Sequence, residues 1–159
     1  MYRAVLTSAV VLSGYIAGRR LFKRGSRDSE RVETEKATIK IVILGAGGFV
    51  GSRLAEKIIS RSTYGSPGDS KSKLKIKEII LFDLRLSPET RKRLGGAGDP
   101  RVSFVEGDIC DKERMWELLQ PNGAEKVTCF HIAAVMSGPS ERNFDLGLRV
   151  NLLAPMDIL

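Results

Sequence analysis

Apolar β-branched residues fill positions 39–44 (IKIVIL) and stop at Gly45, the pattern of a strand covered on both faces. After the glycines, Phe49, Val50, Leu54, Ile58 and Ile59 recur at helical intervals, with Arg53, Glu56 and Lys57 on the other side, so the pattern predicts a helix from about Phe49. Residues 61–77 lack an apolar period and read as a solvated insertion; residues 79–82 form the next strand, closed by Asp83. Residues 86–100 are a connection with one helical turn, and 102–105 are a short third strand. Asp111 caps a helix that buries Met115, Trp116, Leu118 and Leu119 and stops at Pro121, Asn122 and Gly123. A fourth strand covers 127–132. Beyond it Phe144, Leu148, Leu152 and Met156 share one face of a last helix, which Pro155 bends. Strands alternating with helices predict the α/β class: a parallel sheet with helices on both faces.

Charge changes the picture only at the amino terminus. The 159 residues carry a net charge of +7, and residues 1–40 hold +5 of it. A nucleic-acid partner is therefore not expected, because the remaining +2 is spread along the chain and Lys71, Lys73, Lys75 and Lys77 alternate as on a solvated strand edge. Residues 4–18 carry no charge and are followed by Arg19, Arg20, Lys23, Arg24 and Arg27. Such a run is short for a membrane span, but basic residues after it fit a retained anchor with the rest of the chain in the cytosol. A mitochondrial targeting segment is the rival, since the arm is rich in Arg and Ser and has no acid before Asp28. The domain reading is thus an anchor or targeting segment at 1–27, a polar linker at 28–38 and a nucleotide-binding part at 39–159. Two cysteines, Cys110 and Cys129, exclude a disulfide scaffold and a cysteine-built zinc site; no metal is expected.

Gly45, Gly48 and Gly51 stand three apart between the first strand and the first helix. A dinucleotide pyrophosphate needs that arrangement: backbone close to the phosphates and helix-terminal amides aimed at their oxygens. The same triplet also suits a tight turn that requires positive φ and binds nothing. Asp83 favours the first reading. At the end of the second strand its carboxylate can accept the adenosine ribose hydroxyls and repel a 2′-phosphate, which points to NAD over NADP. Arg85, two residues on, works in the opposite sense.

Taken in order, GAGGFVG, LFDLR, EGDICD, HIAAVMSG and NFDLGLRVNLLAPMDIL resemble the extended short-chain dehydrogenases of the NAD-dependent epimerase/dehydratase group, over about residues 39–159. The stretch from His131 to Asn151 is similar to D-erythronate dehydrogenases. The resemblance implies a Rossmann-type fold in which Gly45, Gly48, Phe49, Val50 and Gly51 hold the pyrophosphate, Asp83 the ribose, and Asp108 and Ile109 border the adenine. It further implies that Ala133, Ala134 and Val135 line the cofactor toward its nicotinamide, that Ser137 and Gly138 face substrate, and that Asn151 organises the catalytic centre. His131, the only histidine, matches a structural strand-end position.

The family's catalytic Tyr-x-x-x-Lys is absent: four places beyond Tyr2, Tyr15 and Tyr64 stand Leu6, Arg19 and Gly68. The expectation is a chain lacking the carboxyl-terminal half of its fold, with the fourth strand as a bare edge, so that it binds NAD weakly or not at all and self-associates. Two functions compete. One is an NAD-dependent oxidoreductase or epimerase acting on a sugar, sugar acid or nucleotide sugar, homodimeric when complete. The other is a non-catalytic, membrane-tethered dinucleotide-binding module.

Overall fold

The computed structural model describes residues 10–15, 37–65, 73–95 and 98–159. Along the chain come β1 (Val10–Tyr15), β2 (Thr38–Leu44), α1 (Phe49–Ile59), β3 (Thr63–Tyr64), β4 (Leu74–Asp83), α2 (Pro88–Gly95), β5 (Val102–Glu106), α3 (Lys112–Leu118) and β6 (Lys126–His131). There follow α4 (Ser137–Arg142), α5 (Phe144–Leu148), a π-helical turn (Arg149–Leu153) and α6 (Ala154–Ile158). Four strands run parallel in the order β6, β2, β4, β5. The fold is Rossmann-like, with helices on both faces of this parallel core.

Side chains alternate across the sheet as the pleat requires. Ile39, Ile41, Ile43, Ile79 and Leu81 meet Ala55 and Ile58 of α1 and Leu94 of α2 on one face. On the other, Val42, Leu44, Ile80, Phe82 and Cys129 meet Met115 and Leu118 of α3 and Ala154 of α6. Each fully buried Ile, Leu or Phe contributes on the order of 2 kcal/mol, so β2 and β4, covered on both faces, anchor everything that follows them.

Several expectations need correcting. The sheet is mixed: β1 pairs antiparallel with β6, and β3 pairs antiparallel with the start of β4. The edge of the fourth strand is therefore not bare, since Val10–Tyr15 lies along Lys126–His131 in continuous register; that removes the premise for self-association through it. These same residues fall inside the run read as an anchor, and no helix among the described residues is long and apolar enough to cross a membrane. The rest of the anchor or targeting segment and most of the linker lie outside the described residues. The supposed insertion is partly strand: β4 begins at Leu74, and Lys73, Lys75 and Lys77 form its exposed row. The connection after Asp83 carries eight helical residues rather than one turn.

Two apolar sets face the other way. Trp116 is 72% exposed, because Met115 and Leu118 already cover the sheet on that side of a seven-residue helix. In the last helical stretch Phe144, Leu152 and Met156 are exposed, while Gly147 and Ala154 are buried and Leu148, Val150 and Ile158 half-buried. Close approach to the sheet selects the small side chains and turns the large ones outward. The irregularity near Pro155 takes the form of a π-helical turn immediately before it.

Candidate functional site

Parallel strands bring their carboxyl ends to one edge. Leu44 pairs with Phe82 on one side and His131 on the other, and Asp83 with Glu106. The loops after β2, β4, β5 and β6 therefore share one rim. From β2 the chain crosses through α1 to β4 on one side and returns, after α3, to β6 on the other. At such a switch point the connections diverge and leave a crevice, the usual ligand position in open α/β sheets.

The glycine turn sits at its mouth. Gly45 and Ala46 both donate to the Phe82 carbonyl, at 2.9 and 3.0 Å. Gly45 has φ +90°, and a side chain there would strike Ala133 N at 2.6 Å; at Gly51 it would run into the Gly45 carbonyl. Those two glycines are demanded by the protein itself. Gly48 is different: its backbone is extended and a Cβ would meet only the Gly45 carbonyl, at an ordinary 3.4 Å. Its bareness keeps space open over the start of α1, where no side chain caps the helix. Phe49 and Val50, expected on the buried side of the helix, are 84% and 60% exposed there. An eleven-residue helix with an uncapped, glycine-lined amino end suits an anion.

Asp83 is joined to this turn. Its Oδ2 accepts from Gly47 N at 2.8 Å, and its main-chain oxygen accepts from Gly107 N at 3.0 Å. The carboxylate is thus held at the turn with Oδ1 remaining as an acceptor. Gly47 is the site residue that the spacing argument passed over. Its amide links turn to acid, and a Cβ on it would lie 3.0 Å from both Asp83 Oδ2 and the Arg85 carbonyl.

The other expected residues are placed unevenly. Asp108 lies on the rim, where its Oδ1 accepts from Cys110 N at 2.9 Å, so it shapes its own turn. Burial first, and the Asp108 carboxylate second, push the neighbouring Cys110 thiol above its ordinary value. The side chain of Ile109 is buried with the α3 face of the core and can offer the rim only its backbone. Ile132 N and Ala133 N both donate to the Leu44 carbonyl at 2.9 Å, tying the β6 loop to β2. Ala134 is exposed and Val135 half-buried; Ser137 and Gly138 open α4 and are exposed.

Asn151 does something more specific than its sequence position told. Its Oδ1 accepts from Val135 N and its Nδ2 donates to Val135 O, both at 2.8 Å. The amide is spent on main chain, so Asn151 is a positioning residue that pins the β6 loop to the π-helical turn. Such turns recur at functional sites. His131 is 9% exposed, and its Nε2 has no hydrogen-bond partner among the described residues. Burial holds its pKa below the ordinary value, in keeping with a structural place. No metal-ligating cluster occurs among the described residues.

Comparison with known proteins agrees with this geometry. Residues 42–155 match the 3-beta hydroxysteroid dehydrogenase/isomerase family. The chain is 36% identical over 121 residues to a D-erythronate dehydrogenase of Cupriavidus necator, covering 76% of this chain and 33% of that protein. It is 31% identical over 127 residues to a dTDP-glucose 4,6-dehydratase of Actinoplanes sp., covering 74% and 36%. Among solved structures, a UDP-glucose-4-epimerase from Stenotrophomonas maltophila with bound NAD and formylated UDP-arabinopyranose superposes with TM-score 0.55 at 20% identity, over 75% of this chain and 32% of that one. The chain thus spans about a third of the length of the relatives it matches.

Proposed function

Because the chain belongs to the 3-beta hydroxysteroid dehydrogenase/isomerase family, within the extended short-chain dehydrogenases, we propose that it is the cofactor-holding part of a nicotinamide-dinucleotide oxidoreductase or epimerase acting on a sugar, sugar acid or nucleotide sugar. The named relatives, a sugar-acid dehydrogenase and a nucleotide-sugar dehydratase, support that substrate class. The carrying observation is the join between the glycine turn and the acid: Asp83 Oδ2 bound to Gly47 N beside the uncapped start of α1. The amides of Phe49, Val50 and Gly51 face the pyrophosphate, and Asp83 Oδ1 takes the ribose hydroxyls. A carboxylate at that point repels a 2′-phosphate, so NAD is preferred.

When bound, the cofactor supplies hydride acceptance at its nicotinamide. The chain's own contribution is orientation: Asn151 fixes Val135, and Ala133, Ala134 and Val135 border the nicotinamide half. Ser137 and Gly138 lie beyond them, toward substrate. The Tyr-x-x-x-Lys pair that moves the proton in this family is not among these residues, so hydride transfer by the chain alone is not expected.

Saturation-transfer NMR on the purified chain tests the reading. Magnetisation should pass to NAD with a Kd of about 0.1–1 mM, compete with ADP-ribose, and weaken at least several-fold in Asp83→Ala. No transfer at cofactor concentrations of about 5 mM, or an unaltered Kd in that variant, would overturn it.

A further inference from the structure

The loop that follows Asp83 is held by a pair of side chains outside the glycine turn. Glu106, at the end of β5, uses one oxygen, Oε1, to accept from both Leu86 N at 2.9 Å and Arg91 Nη2 at 2.8 Å. Arg91 Nε in turn donates to the Leu86 carbonyl at 3.3 Å, and its guanidinium lies 5.4 Å from the centre of the Phe104 ring. The Leu86 peptide is therefore grasped at both its N–H and its C=O, while its side chain is 4% exposed.

The other end of the loop is fixed as well, since Asp83 is bound to Gly47 N and Gly107 N. Only Leu84 and Arg85 lie between the two anchors, and both are exposed. They occupy the rim beside the carboxylate that would meet the ribose. Arg85 is also close enough to Glu106 for its charge to help keep that carboxyl ionised, after the larger effects of the Arg91 and Leu86 hydrogen bonds.

Resting on the dinucleotide reading above, we propose that Glu106 is a specificity-determining positioning residue. Through Leu86 it fixes the Leu84–Arg85 step, and with its negative charge it offsets Arg85, so that the rim discriminates against a cofactor bearing a 2′-phosphate. Arg91 tempers that charge. Removing the acid and removing its basic partner therefore move selectivity in opposite directions, which a purely structural pair does not do.

Titrations of NAD and NADP into the full 159-residue chain at low ionic strength test this. Glu106→Gln keeps an acceptor for Leu86 N but loses the charge, so NAD affinity stays within about twofold while the NAD-to-NADP preference falls about three- to tenfold. Arg91→Met leaves Glu106 unopposed, and the preference rises by a comparable factor. Circular dichroism and melting temperature check each variant's fold. If Glu106→Gln does not fold, Arg91→Met and Arg85→Ala carry the test, both with a preference raised toward NAD. A wild-type chain that binds NAD, with a preference unmoved or moved in one direction by both the Glu106 and Arg91 variants, overturns this inference alone. A wild-type chain that binds neither cofactor overturns the cradle and this inference together.

Discussion

Lys40 stands inside the apolar run of β2, and its side chain has no exposed surface. A buried ammonium requires partners, and it has two: Nζ donates to the Gln120 carbonyl at 2.8 Å and lies 3.4 Å from Glu78 Oε2. Its place coincides with a register shift between β2 and β4 at Ile39 and Lys40. Replacing such a group by an apolar chain of similar length is often neutral or stabilising, whereas removing only its partner leaves a charge less well compensated. We predict that Lys40→Met leaves unfolding free energy unchanged or higher, while Glu78→Ala lowers it by about 2 kcal/mol. Urea denaturation measures both, and the reverse ranking would sink the argument. Lys40 shows how much a single position can withhold: within IKIVIL it reads as an interruption, and only its distant neighbours explain it. The glycines are the opposite case, because a turn at Gly45 and a tight crossing at Gly51 are needs of the local chain, visible in the spacing.

Elements were legible where one local period governed them. The parallel strands, α1 and α3 stand close to where the apolar pattern puts them, but their ends and outward faces depend on what packs nearby. The end of α1 illustrates this. Arg101, 42 residues beyond Ile59, donates from Nη2 to the Ile59 carbonyl at 3.0 Å and from Nη1 to the Arg61 carbonyl at 2.7 Å, satisfying acceptors at the helix exit. Asp99 holds the guanidinium in place through Nε and Nη2. Hydrogen bonds from the Arg101 side chain, then from its backbone, keep the Asp99 carboxyl below its ordinary value. Arg101→Ala is expected to destabilise the chain by about 2 kcal/mol. Arg101→Lys should recover only part of this, because a point charge cannot serve two carbonyls and a carboxylate at once. Equal stability of Lys and wild type in thermal melts would count against the cap. The last helix was read less well: its large apolar stripe was visible, but the sheet accepts the small residues instead.

At the scale of the whole molecule, burial of two titratable groups in the same sheet bounds the pH range of stability. Burial holds the His131 imidazole below its ordinary 6.5. The unfolded chain then takes up that proton first as pH falls, so this contribution is complete above about pH 6.5 and is lost progressively below it. Burial also pushes the Cys129 thiol from 9.0 up to about 12. Above pH 9 the unfolded chain releases a proton that the folded chain retains, and stability declines from there toward 12. Unfolding midpoints followed across pH are expected to peak between these limits. Cys129→Val should flatten the alkaline decline relative to wild type; an identical decline in both would refute the assignment. The α/β class, the glycine turn and the candidate acid Asp83 were determined by the sequence by itself, because each follows from periodicity or spacing over a few neighbouring residues. Tertiary structure alone decided the strand order, the antiparallel seat of Val10–Tyr15 on β6, the tie between Gly47 and Asp83, and the grip of Glu106 and Arg91 on Leu86. Those join residues 15 or more positions apart, and no local pattern specifies which distant partners a folded sheet brings within hydrogen-bond reach.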